Sequence, residues 1–170
     1  MPEFHAPALK YRNDILLYRR EIITLGGDFD GTAGLGNFSS VNDWLEFLFT
    51  LDPCRAADCG YYPTEVYLAY DRGNLFGIFN VRLNDGEEIR SRAGHIGYNV
   101  RPTMQRQGYG KILLTEAVRI LNQNGIPSPV VCTFPGNTAS QKTALSCGFI
   151  REEDGMLDSG ESVARFVYRR

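Results

Sequence analysis

Gln105-Arg106-Gln107-Gly108-Tyr109-Gly110-Lys111 is the stretch that decides how this 170-residue chain is read. Before it stands a strand-like segment, His95-Ile96-Gly97-Tyr98-Asn99-Val100, and a breaker, Arg101-Pro102. After it comes an apolar-periodic helix, Ile112 to Leu121. A strand, a glycine-bearing turn and a helix start make an anion site. The first amides of a helix lack internal partners and point outward. The helix dipole adds positive potential there, so a pyrophosphate can sit on that end. Gly108 and Gly110 have no Cβ, so phosphate oxygens can approach the main chain.

Three phosphate loops compete for this stretch. A Walker A loop needs glycine where Gln105 stands and Ser or Thr where Ile112 stands. A dinucleotide fingerprint accepts Gly108 and Gly110 but finds Leu113 at its third glycine, and it belongs at the first strand rather than past mid-chain. The pattern Q/R-x-x-G-x-G/A matches in full at Gln105, Gly108 and Gly110. On that motif the chain resembles the GNAT superfamily of N-acetyltransferases, whose members hold acetyl-CoA there. Val100-Arg101-Pro102, Asn137-x-x-Ser140 and Gly148-Phe149 resemble the family's flanking segments. The string Gly94 to Pro102, with Asp43-Trp44-Leu45 and Arg82-Leu83-Asn84, is similar to a bacterial branch of predicted acetyltransferases.

Composition sets the outer bounds. One domain spanning 1–170 is expected, long enough to bury a core. A formal charge of -2 argues against nucleic acid as the main partner. No apolar run has the length of a membrane span, and Met1-Pro2-Glu3-Phe4-His5 is not a secretory signal. Cys54, Cys59, Cys132 and Cys147, with two histidines, lack metal-site spacing. The chain reads as a reduced, cytoplasmic protein without metal.

Periodicity and breakers predict two helices, Tyr11–Leu25 and Val41–Leu51, the second with Trp44, Leu45, Leu48 and Phe49 as its buried stripe. A glycine-rich loop, Gly26 to Asn37, lies between them. A hairpin follows, with strands Thr64–Tyr70 and Leu75–Leu83, then a polar, mobile-looking stretch, Asn84 to Gly94. Then come strand 95–100, helix 108–123, strand 129–133, helix 137–147, and strands 149–153 and 162–168. This order is α+β (mixed α/β), with helices packed on a central sheet. The resemblance implies more: a mostly antiparallel sheet with helices on both faces, in which strands 95–100 and 129–133 splay apart around the cofactor's pantetheine arm.

Acetyl transfer to an amine needs a neutral amine, a polarised carbonyl and a stabilised thiolate. A lysine-like amine of pKa ~10.4 costs roughly 4.6 kcal/mol to deprotonate at pH 7, an α-amine near ~7.8 about 1 kcal/mol. The resemblance implies that main-chain groups of Tyr98 and Val100 serve the cofactor, while the side chains of Ile96, Tyr98 and Val100 share one pleat face as core. His95, near-neutral in intrinsic pKa, is the candidate base. Asn137 is a helix cap by residue type, and by resemblance it contacts pantetheine together with Ser140. Arg106 and Lys111 are candidates to pair with phosphates, and Gln107 and Tyr109 complete the cofactor loop. Many relatives place a proton-donating tyrosine where this chain has Ala144. The expected activity is acetyl transfer from acetyl-CoA to a primary amine of a small molecule or peptide. A non-catalytic acyl-CoA-binding module is the alternative. Asp28, Asp30, Glu87 and Glu88 suit a cation and so hint at a small amine or polyamine-like acceptor, and a homodimer is common among similar enzymes.

Overall fold

The computed structural model describes residues 1–157 and 159–169. Its centre is a hairpin of β2 (Thr64–Asp71) and β3 (Asn74–Arg82). Arg72 and Gly73 take φ of 50° and 77°, the two positive values that a tight, correctly twisted hairpin turn requires. β1 (Glu3–His5) adds to β2, and β4 (Ile96–Val100) adds to β3. The order is β1-β2-β3-β4. A second sheet holds β5 (Val130–Thr133), β8 (Ser162–Tyr168) and β6 (Phe149–Arg151), with the short β7 (Gly155–Met156) also on β8. Every pairing among the described residues is antiparallel.

Among the described residues four helices cover the sheets. α1 (Arg12–Leu25) stops at Gly26, whose φ of 67° turns the chain out of the helix. α2 (Val41–Leu48) starts where Ser40 Oγ accepts the Asp43 N–H at 3.1 Å. α3 (Tyr109–Gln123) follows the glycine loop, and α4 (Thr138–Ser146) starts at Asn137, whose Oδ1 accepts the Ser140 N–H at 3.0 Å.

β3 is buried on both faces and separates two cores. On one face α3 packs Leu113, Leu114, Ala117 and Leu121 against Phe76, Phe79, Val81 and Ile96, and against Val131, Phe149 and Phe166 of the second sheet. On the other, Ile15, Tyr18 and Ile22 of α1 and Val41, Trp44 and Leu45 of α2 cover Val66, Leu68 and Ile78. The expected two-sided layering is present. Phe49 departs from expectation. α2 gives way to a tighter turn after Leu48, and the change of period rotates Phe49 out to 65% exposure. The stretch 84–94 is also more ordered than its polarity suggests. Ile89–Ala93 forms a wide helical turn with Ile89 fully buried.

The two sheets part between β4 and β5. They are joined at one end, where the His95 N–H donates to Val130 O at 2.7 Å and the Val130 N–H donates to His95 Nδ1 at 3.0 Å. Beyond this clasp β4 and β5 belong to different sheets, so the expected splay is present.

Candidate active site

The phase of the β3–β4 ladder determines which main-chain groups face the gap. Arg82 N–H donates to His95 O and Arg101 N–H to Phe76 O, each at 2.8 Å. An antiparallel ladder alternates bonded and non-bonded pairs. With Asn80 opposite Gly97 and Ile78 opposite Asn99, Gly97 and Asn99 bond to β3. Ile96, Tyr98 and Val100 therefore direct their N–H and C=O away from β3, toward β5.

The loop after β4 is held at its base. Glu21 on α1 accepts Arg101 Nε at 2.6 Å, the Thr103 N–H at 2.9 Å and Thr103 Oγ1 at 2.6 Å. Burial alone would raise the Glu21 pKa, but these donors outweigh it and hold the carboxyl below its ordinary value. Gln105 Nε2 donates to Val100 O at 3.2 Å and Gln107 Nε2 to Thr103 O at 3.2 Å. Tyr109 stacks on Phe76 and donates to Asp71 at 2.9 Å. Arg106 has φ of 61° and Gly108 of 86°. A left-handed conformation costs a non-glycine residue about 1–2 kcal/mol, and such strain concentrates at ligand sites. The main-chain N–H groups of residues 106–110 have no partner among the described residues. Successive open amides of this kind form an anion nest. A Cβ on Gly108 would meet no atom within 4 Å, so the space above the nest is open. Gly110 has a different role: its Cα faces Thr143 and the Tyr98 ring, and it brings α3 close to α4. Arg106 and Lys111 are solvent-facing at the nest's edge.

A cleft of about 440 Å³ occupies the gap between the sheets. Its walls include Gly97 and Tyr98 of β4, Cys132 and Thr133 of β5, Asn137 and Ser140 at α4, and Asp30 and Gly31 of the loop between α1 and α2. Tyr98 is not a plain core residue: its hydroxyl reaches Ser140 Oγ at 3.1 Å. The chain therefore brings a phenol to α4 from β4, although Ala144 on α4 itself is buried and inert. Burial raises the Tyr98 pKa, with Ser140 and Thr143 acting the other way. Gly31 lies on the main chain of Tyr98, so close that a Cβ there would fall 2.3 Å from Tyr98 N. Asn80 Nδ2 donates to Gly31 O at 2.8 Å and ties that loop to β3. Asp30 has its pKa raised, by burial first and then by Asp28. Burial pushes the Cys132 thiol up to about 11, so it remains protonated and unreactive.

His95 does not fit the expected role of base. It is fully buried, and both ring nitrogens are engaged by the protein. Nδ1 accepts the Val130 N–H, which leaves the proton on Nε2, 3.0 Å from Asp85 Oδ1. Neither nitrogen has a lone pair open to the cleft. Burial lowers the His95 pKa against the opposing pull of Asp85. The ring is a clasp between β4 and β5. Glu87 and Glu88 also lie outside the cleft wall, and Glu88 accepts the Tyr62 hydroxyl.

A family model described as the acetyltransferase (GNAT) family matches residues 37–149. The chain belongs to that family of acetyltransferases. No curated protein matches it. Among solved structures it is similar to the microcin C7 self-immunity acetyltransferase MccE in complex with acetyl-CoA and AMP (17% identity, 98% of this chain and 90% of that one, TM-score 0.67). It is similar to a GNAT-family acetyltransferase from Streptococcus pneumoniae (17%, 98% of both chains, TM-score 0.63). It is also similar to a spermidine N-acetyltransferase SpeG chimera from Vibrio cholerae and hSSAT (14%, 98% and 94%, TM-score 0.61). At these identities the likeness is one of fold. No described helix is long and apolar enough to cross a membrane.

Proposed function

We propose that this chain transfers an acetyl group directly to a primary amine, with the cofactor's diphosphate on the amides of residues 106–110 and the reaction in the cleft between β4 and β5. The observation that carries this reading is the continuity of open main-chain donors from the gap-facing edge of β4 into the nest at the start of α3. Gln105, Gly108 and Gly110 shape the nest, and Arg106 and Lys111 add positive charge beside it. Gln107 and Tyr109 hold its two ends through Thr103 and Asp71. Asn137 and Ser140 line the path of the pantetheine arm.

Bound acetyl-CoA supplies an acetyl group on a thioester whose thiol is a good leaving group. The residues of this chain then have three tasks. The N–H groups of Tyr98 and Val100, fixed before reaction, polarise the carbonyl oxygen. Asp30, whose raised pKa makes it a better base than an ordinary carboxylate, takes the proton that the amine loses as the N–C bond forms. The Tyr98 hydroxyl, kept protonated by burial, gives a proton to the sulfur as the C–S bond breaks. Cys132 takes no acetyl group, because its thiol is held in the unreactive form. That favours a single ternary complex over a relay through the enzyme.

Calorimetry with acetyl-CoA, followed by thiol release across an amine panel, tests the reading. Binding with turnover supports it. Binding without turnover on any amine favours the non-catalytic acyl-CoA-binding module instead.

A further inference from the structure

The floor of the cleft carries two unmet demands side by side. On β3, Ile78, Asn80 and Arg82 project from one face, two residues apart. Ile78 is in the apolar core under α1, and the next two positions on that face become polar where the cleft opens. Asn80 is 2% exposed, and its Oδ1 has no hydrogen-bond donor. Its Nδ2 is committed to Gly31 O, so the amide cannot turn over without losing that bond. Gly97 is opposite it, and a Cβ there would fall 2.8 Å from Asn80 Nδ2. The missing side chain is what lets Asn80 lie against β4.

Arg82 is the second demand. Its Nη1 donates to Ala93 O at 3.3 Å and Gly94 O at 2.9 Å, and no carboxylate pairs with it among the described residues. A guanidinium that is mostly withdrawn from water normally has an anionic partner, because desolvation of an uncompensated charge is costly. The fork has five donors and suits an oxyanion held in two-point fashion. Arg92 lines the same cleft. Asp30 stands in the same cleft wall.

We infer that the acceptor is a small amino acid-like molecule, with a primary amine and an oxyanion a few bonds apart, its oxyanion on Arg82 and an amine N–H on Asn80. Such a molecule brings the two things the floor lacks, a hydrogen-bond donor and a negative charge. A polyamine brings the first and adds a second cation beside Arg82. The cleft volume is in the range of small-ligand sites. This inference rests on the proposed amine acetylation and narrows it.

The test is thiol release by the unmodified enzyme on matched triplets: an amino acid, its neutral amide, and the amine lacking the carboxyl carbon. α-, β- and γ-amino acids and an aminoalkyl phosphonate are included to distinguish carboxylate from phosphonate as the oxyanion. The expected result is that at least one acid exceeds its own amide by about 30-fold in kcat/KM, the scale of one charge-assisted contact. Arg82→Lys should lower that ratio by about tenfold while acetyl-CoA affinity, read by calorimetry, is kept. Amides or polyamines turned over as well as the acids would overturn the inference and leave amine acetylation standing. Failure of every amine, with acetyl-CoA bound, would remove both.

Discussion

Replacing His95 by alanine separates a clasp from a base. The substitution strands the Val130 N–H in a buried position and empties the space of the ring. An unsatisfied buried donor costs about 1–3 kcal/mol, and the lost packing adds roughly 1–2 kcal/mol. A loss near 3 kcal/mol in a chain of this size corresponds to a fall in Tm of about 6–12 °C. Acid provides an independent check. The folded-state pKa of His95 is below its unfolded value of about 6.5. The unfolded chain therefore binds the proton first, and the contribution of the ring, complete above about pH 6.5, is lost as pH falls below it, by at most about 1.4 kcal/mol per unit. Asp85 is pulled below its ordinary pKa: burial opposes this, and Arg90 and His95 prevail, so its contribution survives to lower pH. The stability gap between wild type and His95→Ala should therefore narrow between about pH 7 and pH 5. Thermal melts across that range, paired with thiol-release rates per folded molecule, measure both quantities. A variant that melts like wild type but loses the acid limb of its rate profile would refute the clasp and restore the base.

Three further perturbations test other parts of the account. Gly108→Val meets open space but must adopt a φ of 86°, so it should fold with a loss of about 1–2 kcal/mol and bind acetyl-CoA at least tenfold more weakly by calorimetry; wild-type affinity in the folded variant would remove the nest from the cofactor site. Tyr98→Phe keeps the ring and removes the hydroxyl, so kcat should fall about 10- to 100-fold with acetyl-CoA affinity retained; an unchanged kcat means that the thiolate leaves without the phenol. Gly31→Ala puts a carbon 2.3 Å from Tyr98 N, which the loop relieves only by lifting from β4 and breaking its bond to Asn80. That variant should raise KM for the amine by about tenfold or more, with the acetyl-CoA Kd nearly unchanged, and an unaltered KM would place the loop outside the acceptor path.

The layers and the cofactor loop are legible in the sequence because their signals are local. Gly108 and Gly110 stand between a strand pattern and a helix pattern, and Ser40 and Asn137 cap the helices that follow them. The cleft wall is not local. Residue type gives His95 a suitable pKa but cannot say where its nitrogens point, and burial between Asp85 and Val130 decides that. The Tyr98 hydroxyl meets Ser140 across 42 positions of chain. The Gly26–Asn37 stretch is legible as a glycine-rich loop, yet its seat on Tyr98 depends on tertiary packing. One signal was available: Asn80 and Arg82 interrupt a strand that is otherwise apolar on both faces, and a polar pair on an inward face marks a site.

The most direct measurement is a backbone-amide NMR titration with acetyl-CoA. The account predicts that the resonances of residues 106–110 move first and farthest, with Tyr98 and Val100 following. Largest shifts at any other helix start, with those five amides unmoved, would contradict it.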